Sequence, residues 1–340
     1  MFTFQDLERS ERLVHAVLPA TAQRRWPLLA ERLAADVVVK HENQQATGAF
    51  KVRGGLVYVD RMKRERPHVA GLVSATRGNH GQSIAFAGRR HGVPVTIFVP
   101  HGNSVEKNRA MQAFGADLIE AGDDFDAARD AAKRFAVDNA HEMVPSFHRD
   151  LVLGVATYAL ELMTAEPELD TLYVPVGLGS GICACVTVRD LLGRKTEIVG
   201  VQATEAPAYA LSLAAGRVVT TPTCDTRADG IATRVPDEQA LAIMRRGVTR
   251  IVQVSDDEIA EAIRIYWTDT HNLAEGAGAA PLAAALQERD RLKGRRVGLI
   301  LSGGNIDMTL FAEWVMRRSP AGSRAKAAPA AAKETAVAAP

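Results

Sequence analysis

One lysine in the sequence has neighbours that could make its amine reactive. Lys51 lies in residues 47–53 (TGAFKVR), where the adjacent side chains are small or apolar. Burial disfavours an ammonium ion, so a lysine in such surroundings can have a lowered pKa and attack a carbonyl to form a Schiff base. The alternative is a helix-surface lysine that packs its stem on apolar atoms and keeps its ammonium in water.

Three other clusters lie at strand ends, and two of them could bind anions. Residues 74–82 (SATRGNHGQ) and 177–181 (GLGSG) each follow an apolar run, and their glycines let backbone N–H groups approach an anion at a helix start. The second is no dinucleotide fingerprint, because Ile182 stands where the third glycine would be, so it indicates a phosphate site without a nucleotide. Residues 301–307 (LSGGNID) form the last cluster. For the first and last of these three, an ordinary turn that caps a helix is the alternative.

The elements that must position these clusters are visible as short apolar runs. Continuous rather than alternating apolarity is typical of parallel strands that are covered on both faces. The runs alternate with amphipathic stretches of helical length, which indicates an α/β fold with open parallel sheets. Ligands bind such sheets beyond the carboxyl ends of the strands, where these clusters lie. The runs are residues 37–40, 71–74, 95–99, 117–120, 171–176, 198–201, 250–254 and 297–301.

Polar residues at a fixed spacing mark the starts of two helices. Asn103 with Glu106, and Ser255 with Glu258, match the capping box, in which each side chain bonds the backbone of the other residue. Gly115 is placed to end the first of these helices in a left-handed conformation.

The composition excludes several classes of protein. The 340 residues are 47% hydrophobic and 24% charged with a net charge of +1, so neither wholesale disorder nor a general attraction for nucleic acid is expected. The first residues show no signal-peptide pattern, no apolar run approaches the ~18 residues of a membrane span, and the three cysteines make no disulfide set. We expect a cytoplasmic protein with no nucleic-acid or membrane partner. Residues 319–340, rich in alanine and proline, are predicted to be a disordered tail.

Together, the lysine, the anion loop, the phosphate cradle and the terminal serine loop resemble the site of fold-type-II pyridoxal-phosphate (PLP) enzymes. The chain is similar to the threonine/serine dehydratase group of that family, which includes serine racemase, over about residues 25–317. The resemblance implies two α/β domains of open parallel sheets, like those of the tryptophan synthase β subunit. It predicts a large PLP-binding domain from residues 1–47 and 146–318, a small domain from residues 48–145 that starts close to the Schiff-base lysine, and a homodimer.

The resemblance also implies a role for each residue of the site. Lys51 forms the Schiff base and removes the α-proton of the substrate, Phe50 lies beside the pyridine ring, and Asn79 bonds the 3′-oxygen. Ser302 faces the pyridine nitrogen, and its neutral hydroxyl leaves that nitrogen unprotonated, which favours prompt β-elimination over transamination. The implied phosphate loop is Gly177, Leu178, Gly179, Ser180 and Gly181. The implied binding loop for the substrate carboxylate includes Ser74, Thr76, Arg77, Gly78 and His80.

One departure from the family pattern bears on the reaction. Serine racemase-like enzymes have a catalytic serine where this chain has Arg77, and a permanently charged guanidinium is a poor proton shuttle. We therefore expect dehydration and deamination of a 3-hydroxy amino acid, threonine or serine first, to a 2-keto acid and ammonia. The alternatives are a 3-hydroxyaspartate ammonia-lyase, in which Arg77 binds the side-chain carboxylate, and an amino-acid racemase. Arg77 could also simply face solvent or a protein carboxylate.

Further segments of the family pattern concern metal binding and the lining of the site. Gln202 and Ala208 stand where relatives with a divalent-cation site have acidic ligands, so no metal site is expected. Residues 229–232 and 275–278 match segments that line the site. Glu275 either lies near the cofactor ring or is a carboxylate favoured by a helix N-terminus.

Overall fold

Strands and helices alternate along most of the chain, as the apolar runs predict. The computed structural model describes residues 1–316, so the predicted tail at residues 319–340 lies outside the described residues. The strands are β1 (Gln23–Arg25), β2 (Asp36–His41), β3 (Leu72–Ala75), β4 (Val95–Val99), β5 (Asp117–Glu120), β6 (Glu142–Met143), β7 (Thr171–Pro175), β8 (Glu197–Ala203), β9 (Val248–Val254) and β10 (Arg296–Leu301).

Helices connect these strands and cover both sheets. The helices are α1 (Phe4–His15), α2 (Pro27–Leu33), α3 (Lys51–Glu65), α4 (Asn79–His91), α5 (Val105–Ala113), α6 (Phe125–Asp138), α7 (Arg149–Ala165), α8 (Ser180–Leu191), α9 (Ala208–Ala215), α10 (Glu238–Gly247), α11 (Asp256–Thr270), α12 (Gly276–Gln287), α13 (Arg289–Leu292) and α14 (Met308–Met316). Two short 3-10 helices, Glu42–Gln44 and Asp229–Ile231, lie in connecting loops.

The strands form two open sheets. The larger has the order β1-β2-β10-β7-β8-β9 and is parallel except for β1, which pairs antiparallel to β2. The smaller has the order β5-β4-β3-β6 and is parallel throughout. This arrangement confirms the predicted fold class.

All eight apolar runs form strands, with bounds shifted by a residue or two. The sequence reading missed β1 and β6, which have three and two residues and carry no apolar run. Each sheet lies within one of the two predicted domains. The domain boundaries themselves stay predictions, because α3 packs both on α4 beside the small sheet and on α7 beside the large one.

Two of the three predicted helix ends are confirmed. Ser255 and Glu258 form a capping box at α11, and Gly115 follows α5 with φ +101°. The predicted cap at Asn103 is wrong, since the neighbouring Ser104 caps α5 by accepting a bond from Lys107 N. Serine is also a favoured capping residue, so the helix can start at Ser104, one position after Asn103.

Buried aliphatic side chains fill the space between the sheets and their helices. Cys183 and Cys185 are buried within one of these cores, and all three cysteines are free thiols. Within residues 1–316, no helix is both long enough and apolar enough to cross a membrane.

Candidate active site

The four clusters singled out in the sequence meet at the carboxyl ends of their strands. Phe50 N donates a hydrogen bond to Ser302 O at 3.0 Å, which ties the start of α3 to the end of β10. Asn305 Nδ2 donates to Asn79 Oδ1 at 2.8 Å and so links the same loop to α4. A Cβ added to Gly181 would lie 3.8 Å from the ring of Phe50, so the glycine-rich loop reaches the same place.

Lys51 is the first residue of α3 and is partly buried. Its Nζ lies 4.9 Å from the centre of the Phe50 ring. Burial lowers the pKa of Lys51 from 10.5 to about 8, although the Glu275 carboxylate works against that change. A positive charge is also disfavoured at a helix N-terminus. The structure thus gives Lys51 the surroundings of a reactive amine rather than those of a surface lysine.

Residues 177–181 form a cradle of backbone groups between β7 and α8. Gly179 has φ +102° and precedes α8, whose first N–H groups receive no bond from a capping side chain. A Cβ on Gly177 would lie 2.2 Å from Gly230 O, so only glycine fits this approach of two backbones. Leu178 O accepts a bond from Tyr209 Oη at 2.9 Å, which fixes the loop from behind. Uncapped N–H groups at the start of a helix suit a phosphate.

The loop after β3 carries buried polar atoms without partners. Ser74 is fully buried, and neither its Oγ nor Nε2 of His80 has a hydrogen-bond partner among the described residues. Thr76 Oγ1 accepts a bond from Gly78 N at 3.1 Å and shapes the turn. Burial and the nearby charge of Lys51 lower the pKa of His80 to about 3, so its imidazole is neutral. Unsatisfied buried groups of this kind call for a ligand or water.

Arg77 lies in the same loop but differs from its neighbours. Its side chain is exposed, as in the alternative in which Arg77 faces solvent, and it makes no ion pair within residues 1–316. The structure therefore leaves the Arg77 guanidinium accessible to a ligand. It does not support the alternative in which a carboxylate of the described protein holds this side chain.

The amide of Asn79 is oriented from two sides. Its Nδ2 donates to the two carboxylate oxygens of Glu275 at 2.8 and 3.1 Å, while Asn305 holds its Oδ1. Burial raises the pKa of Glu275, against the effect of the Lys107 and Lys51 charges. Glu275 precedes α12 but makes no side-chain capping bond, so its carboxylate serves the site rather than the helix.

Lys107 is a site residue that sequence reasoning missed. It lies in the first turn of α5, and its Nζ donates to Asp229 Oδ2 at 2.7 Å. Its side chain also packs on Gly78, where an added Cβ would lie 2.8 Å from Lys107 Cδ. Burial opposes the Lys107 ammonium, but the carboxylates of Asp229 and Glu275 outweigh it and raise the pKa. No glycine-rich motif surrounds Lys107, so only the fold reveals it.

Gln202, the amide expected in place of an acidic metal ligand, makes a structural contact. Gln202 Oε1 accepts a bond from Ala210 N at 2.9 Å, and so supports the start of α9. Within the described part of the chain, no group of three or more histidine, cysteine, aspartate or glutamate side chains could hold a metal ion.

Comparison with known proteins extends these observations. A family model described as pyridoxal-phosphate dependent enzyme matches residues 18–303. L-threonine ammonia-lyase of Geobacter sulfurreducens is 37% identical, over 87% of this chain and 73% of that protein. L-threo-3-hydroxyaspartate ammonia-lyase of Saccharomyces cerevisiae is 31% identical, over 84% of this chain and 87% of that protein. The structure of threonine deaminase isoform 2 from Solanum lycopersicum superposes with a TM-score of 0.86 and 28% identity, covering 92% of this chain and 86% of that one.

Proposed function

We propose that this chain, which belongs to the pyridoxal-phosphate-dependent enzyme family, is an ammonia-lyase acting on L-threonine. Its cofactor is pyridoxal phosphate. In the proposed reaction, threonine loses its α-proton and β-hydroxyl, and hydrolysis of the resulting enamine gives a 2-keto acid and ammonia. The observation that carries the proposal is the meeting of a desolvated lysine, a phosphate cradle, an oriented amide and a neutral serine at one point.

The residues present fit the cofactor. The cradle at residues 177–181 offers the uncapped N–H groups at the start of α8, and burial lowers the pKa of the Lys51 amine to about 8, which favours a nucleophile. Ser302 is buried, bonded to Phe50 through the backbone, and would offer a hydroxyl rather than a carboxylate to the ring nitrogen of the cofactor. When bound, pyridoxal phosphate supplies an aldehyde for the substrate amine and a ring that withdraws electrons from the α-carbon.

Lys51 carries the proton transfer in this proposal. An amine with a pKa of about 8 can take the α-proton and return a proton near neutral pH, which an ordinary lysine does poorly. Neutral His80 and the hydroxyl of Ser74 supply hydrogen-bonding groups for the α-carboxylate of the substrate, since both have an unpartnered polar atom. Glu275 and Asn305 hold Asn79 in one orientation for the cofactor.

A second candidate substrate is 3-hydroxyaspartate. Arg77 is exposed in the proposed substrate loop and forms no ion pair within residues 1–316, so its planar fork is available for a second carboxylate. The yeast relative that acts on L-threo-3-hydroxyaspartate adds support to this candidate. A racemase is less well supported, because Arg77 replaces the acid that would act on the second face.

The assembly and location of the protein are also proposals. The family resemblance supports a homodimer, which sedimentation equilibrium tests directly. The free thiols of Cys183, Cys185 and Cys224 suit a reducing compartment, so we propose a cytoplasmic location. Fractionation of the cells that express the protein tests that location.

The reaction can be tested with purified protein and added pyridoxal phosphate. L-threonine, L-serine, 3-hydroxyaspartate and 3-phenylserine would be compared for release of keto acid and ammonia, and for inversion at the α-carbon. We expect keto acid and ammonia in equal amounts, with threonine the best substrate. Keto acid from none of the four would contradict the proposal, and inversion without keto acid would establish the racemase instead.

A further inference from the structure

A group of four charged side chains is buried next to the start of α3. This group, the Arg53 cluster, consists of Lys40, Glu42, Arg53 and Glu161, and none of the four side chains is more than 5% exposed. Two positive and two negative charges balance one another. None of these residues belongs to the site described above, yet Arg53 follows Lys51 by only two positions.

Arg53 is the centre of the cluster. Its Nε and Nη2 donate to the two oxygens of Glu42 at 2.8 and 3.0 Å, and its Nη1 donates to Glu161 Oε1 at 2.5 Å. The same Nη1 donates to Thr157 Oγ1 at 3.0 Å. Lys40 Nζ donates to Glu161 Oε2, which also accepts a bond from Arg53 Nη2 at 3.1 Å. The guanidinium is therefore held in one plane by two carboxylates from different directions.

Stability alone does not explain this arrangement. A cation in the first turn of a helix is disfavoured by the helix dipole, and Arg53 is the third residue of α3. Taking four charges out of water is costly, and well-packed apolar side chains often stabilise a protein as much or more. What a guanidinium fork adds is a fixed direction, because it matches a carboxylate at two atoms at once.

Arg53 fixes the orientation of the first turn of α3 relative to the large sheet. Glu42 follows the end of β2, and Glu161 lies on α7. At the same level α3 and α7 touch through their backbones, since a Cβ on Gly154 would lie 2.2 Å from Arg53 O. The first turn of α3 thus rests on the large sheet and α7, whereas the helix also packs along α4 of the small sheet.

We infer that the Arg53 cluster positions Lys51, holding the first turn of α3 so that the amine stays beside the phosphate cradle. The inference rests on the role proposed for Lys51. Arg53 touches neither Lys51 nor the cradle and acts through the helix backbone. Its removal should therefore affect Schiff-base formation more than the affinity for substrate.

The experiment separates positioning from stability by restoring the charge balance. Arg53→Met gives the cluster a net negative charge, with Lys40 facing the carboxylates of Glu42 and Glu161. Arg53→Met combined with Glu42→Gln restores a neutral cluster, with one positive and one negative charge. We expect the single variant to lose both thermal stability and Schiff-base formation. The double variant should regain a melting temperature close to wild type, yet remain about 10²-fold lower in kcat, as expected for a misplaced catalytic amine. Its Schiff-base absorbance, titrated with pyridoxal phosphate, should stay correspondingly low, with KM changed much less.

Arg53→Lys and Arg250→Met complete the design. The lysine keeps the charge but cannot bind two carboxylates through a fork, so it should lower kcat without a large loss of stability. Arg250 makes a similar two-atom contact with Glu288 that joins β9 to the end of α12 and involves no residue of α3, so its replacement should leave Schiff-base formation unchanged. A double variant, or Arg53→Lys, with wild-type absorbance and kcat would overturn the inference. A wild-type protein that forms no Schiff base would instead overturn the proposed function on which it rests.

Discussion

The two sides of the candidate site are built differently. On the side of the large sheet, the groups that face the site are fixed by the protein itself: Phe50 is bonded to Ser302, and Gly179 holds its loop in a left-handed turn. On the side of the small sheet, Ser74 Oγ and His80 Nε2 have no partner among the described residues. The loops of the first side keep their shape through contacts within the protein, whereas the loop after β3 leaves two buried polar atoms unsatisfied.

This difference indicates a division of labour. Loops whose backbone is already held by the protein keep their geometry in the empty and in the loaded protein, which suits a cofactor that stays bound. Buried polar atoms without partners are costly until something binds them, which suits a substrate that comes and goes. We therefore expect changes in the cradle at residues 177–181 to affect the cofactor, and changes in the loop after β3 at residues 74–78 to affect the choice of substrate.

Replacing Lys51 should have the largest effect. Lys51→Ala removes both the amine that binds the cofactor and the proposed base, so activity should fall by at least about 10³-fold. The Schiff-base absorbance should disappear at the same time. Lys133→Ala, a change at an exposed lysine of α6, is the control and should alter neither quantity. Turnover retained by Lys51→Ala would refute the assignment.

Replacing Arg77 should change the substrate but not the cofactor. If Arg77 binds a second carboxylate, Arg77→Ala should lower kcat/KM for 3-hydroxyaspartate about 30-fold, the value of a charged hydrogen bond, and leave threonine within about threefold. Arg90→Ala, at an exposed arginine at the far end of α4, is the matched control. An equal loss for both substrates would assign Arg77 to the general structure of the loop.

Replacing Gly179 should weaken the cofactor rather than the substrate. An alanine there is strained at φ +102°, and its Cβ would lie 2.8 Å from Met244 Cε, so the loop must shift. We expect about tenfold weaker binding of pyridoxal phosphate, measured by titration of the apoprotein. Gly193→Ala carries the strain of φ +63° with open space around it, and should lower stability alone. Equal cofactor affinity in the two variants would contradict a cradle at residues 177–181.

The pH dependence of cofactor uptake is the smallest predicted effect. Only the neutral amine of Lys51 attacks an aldehyde, and burial lowers its pKa to about 8. The rate at which apoprotein forms the Schiff base should therefore rise with pH and level off once pH exceeds that value. A rate that still climbs toward the ordinary lysine pKa of 10.5 would show that Lys51 remains in water.

Sequence reasoning recovered the elements whose cause is local. The strands β2 and β10 are continuous apolar runs because both of their faces are buried. The loop at residues 177–181 needs glycines because its backbone turns tightly and approaches another backbone, and those glycines are visible in the sequence. Polar strand β1 was missed because it pairs at the edge of the large sheet, where no apolar run is required.

The parts that sequence reasoning could not supply depend on the packing of distant segments. Lys107 enters the site only because α5 brings it to Asp229, 122 residues away. Glu275 and Asn79 are 196 residues apart in sequence, and the sequence near each does not reveal their contact. It therefore could not decide whether Glu275 belongs to the site or only caps a helix. Arg53 was read as part of the lysine motif, but its partners Glu42 and Glu161 become visible only in the folded chain.

The most direct test of the account is to identify the lysine that holds the cofactor. Protein loaded with pyridoxal phosphate would be reduced with borohydride, digested and mapped by mass spectrometry, which turns a reversible Schiff base into a permanent label. The account predicts the label on Lys51, the amine that the large-sheet side holds beside the cradle. A label on any other lysine, Lys107 included, or no label at all, would contradict it.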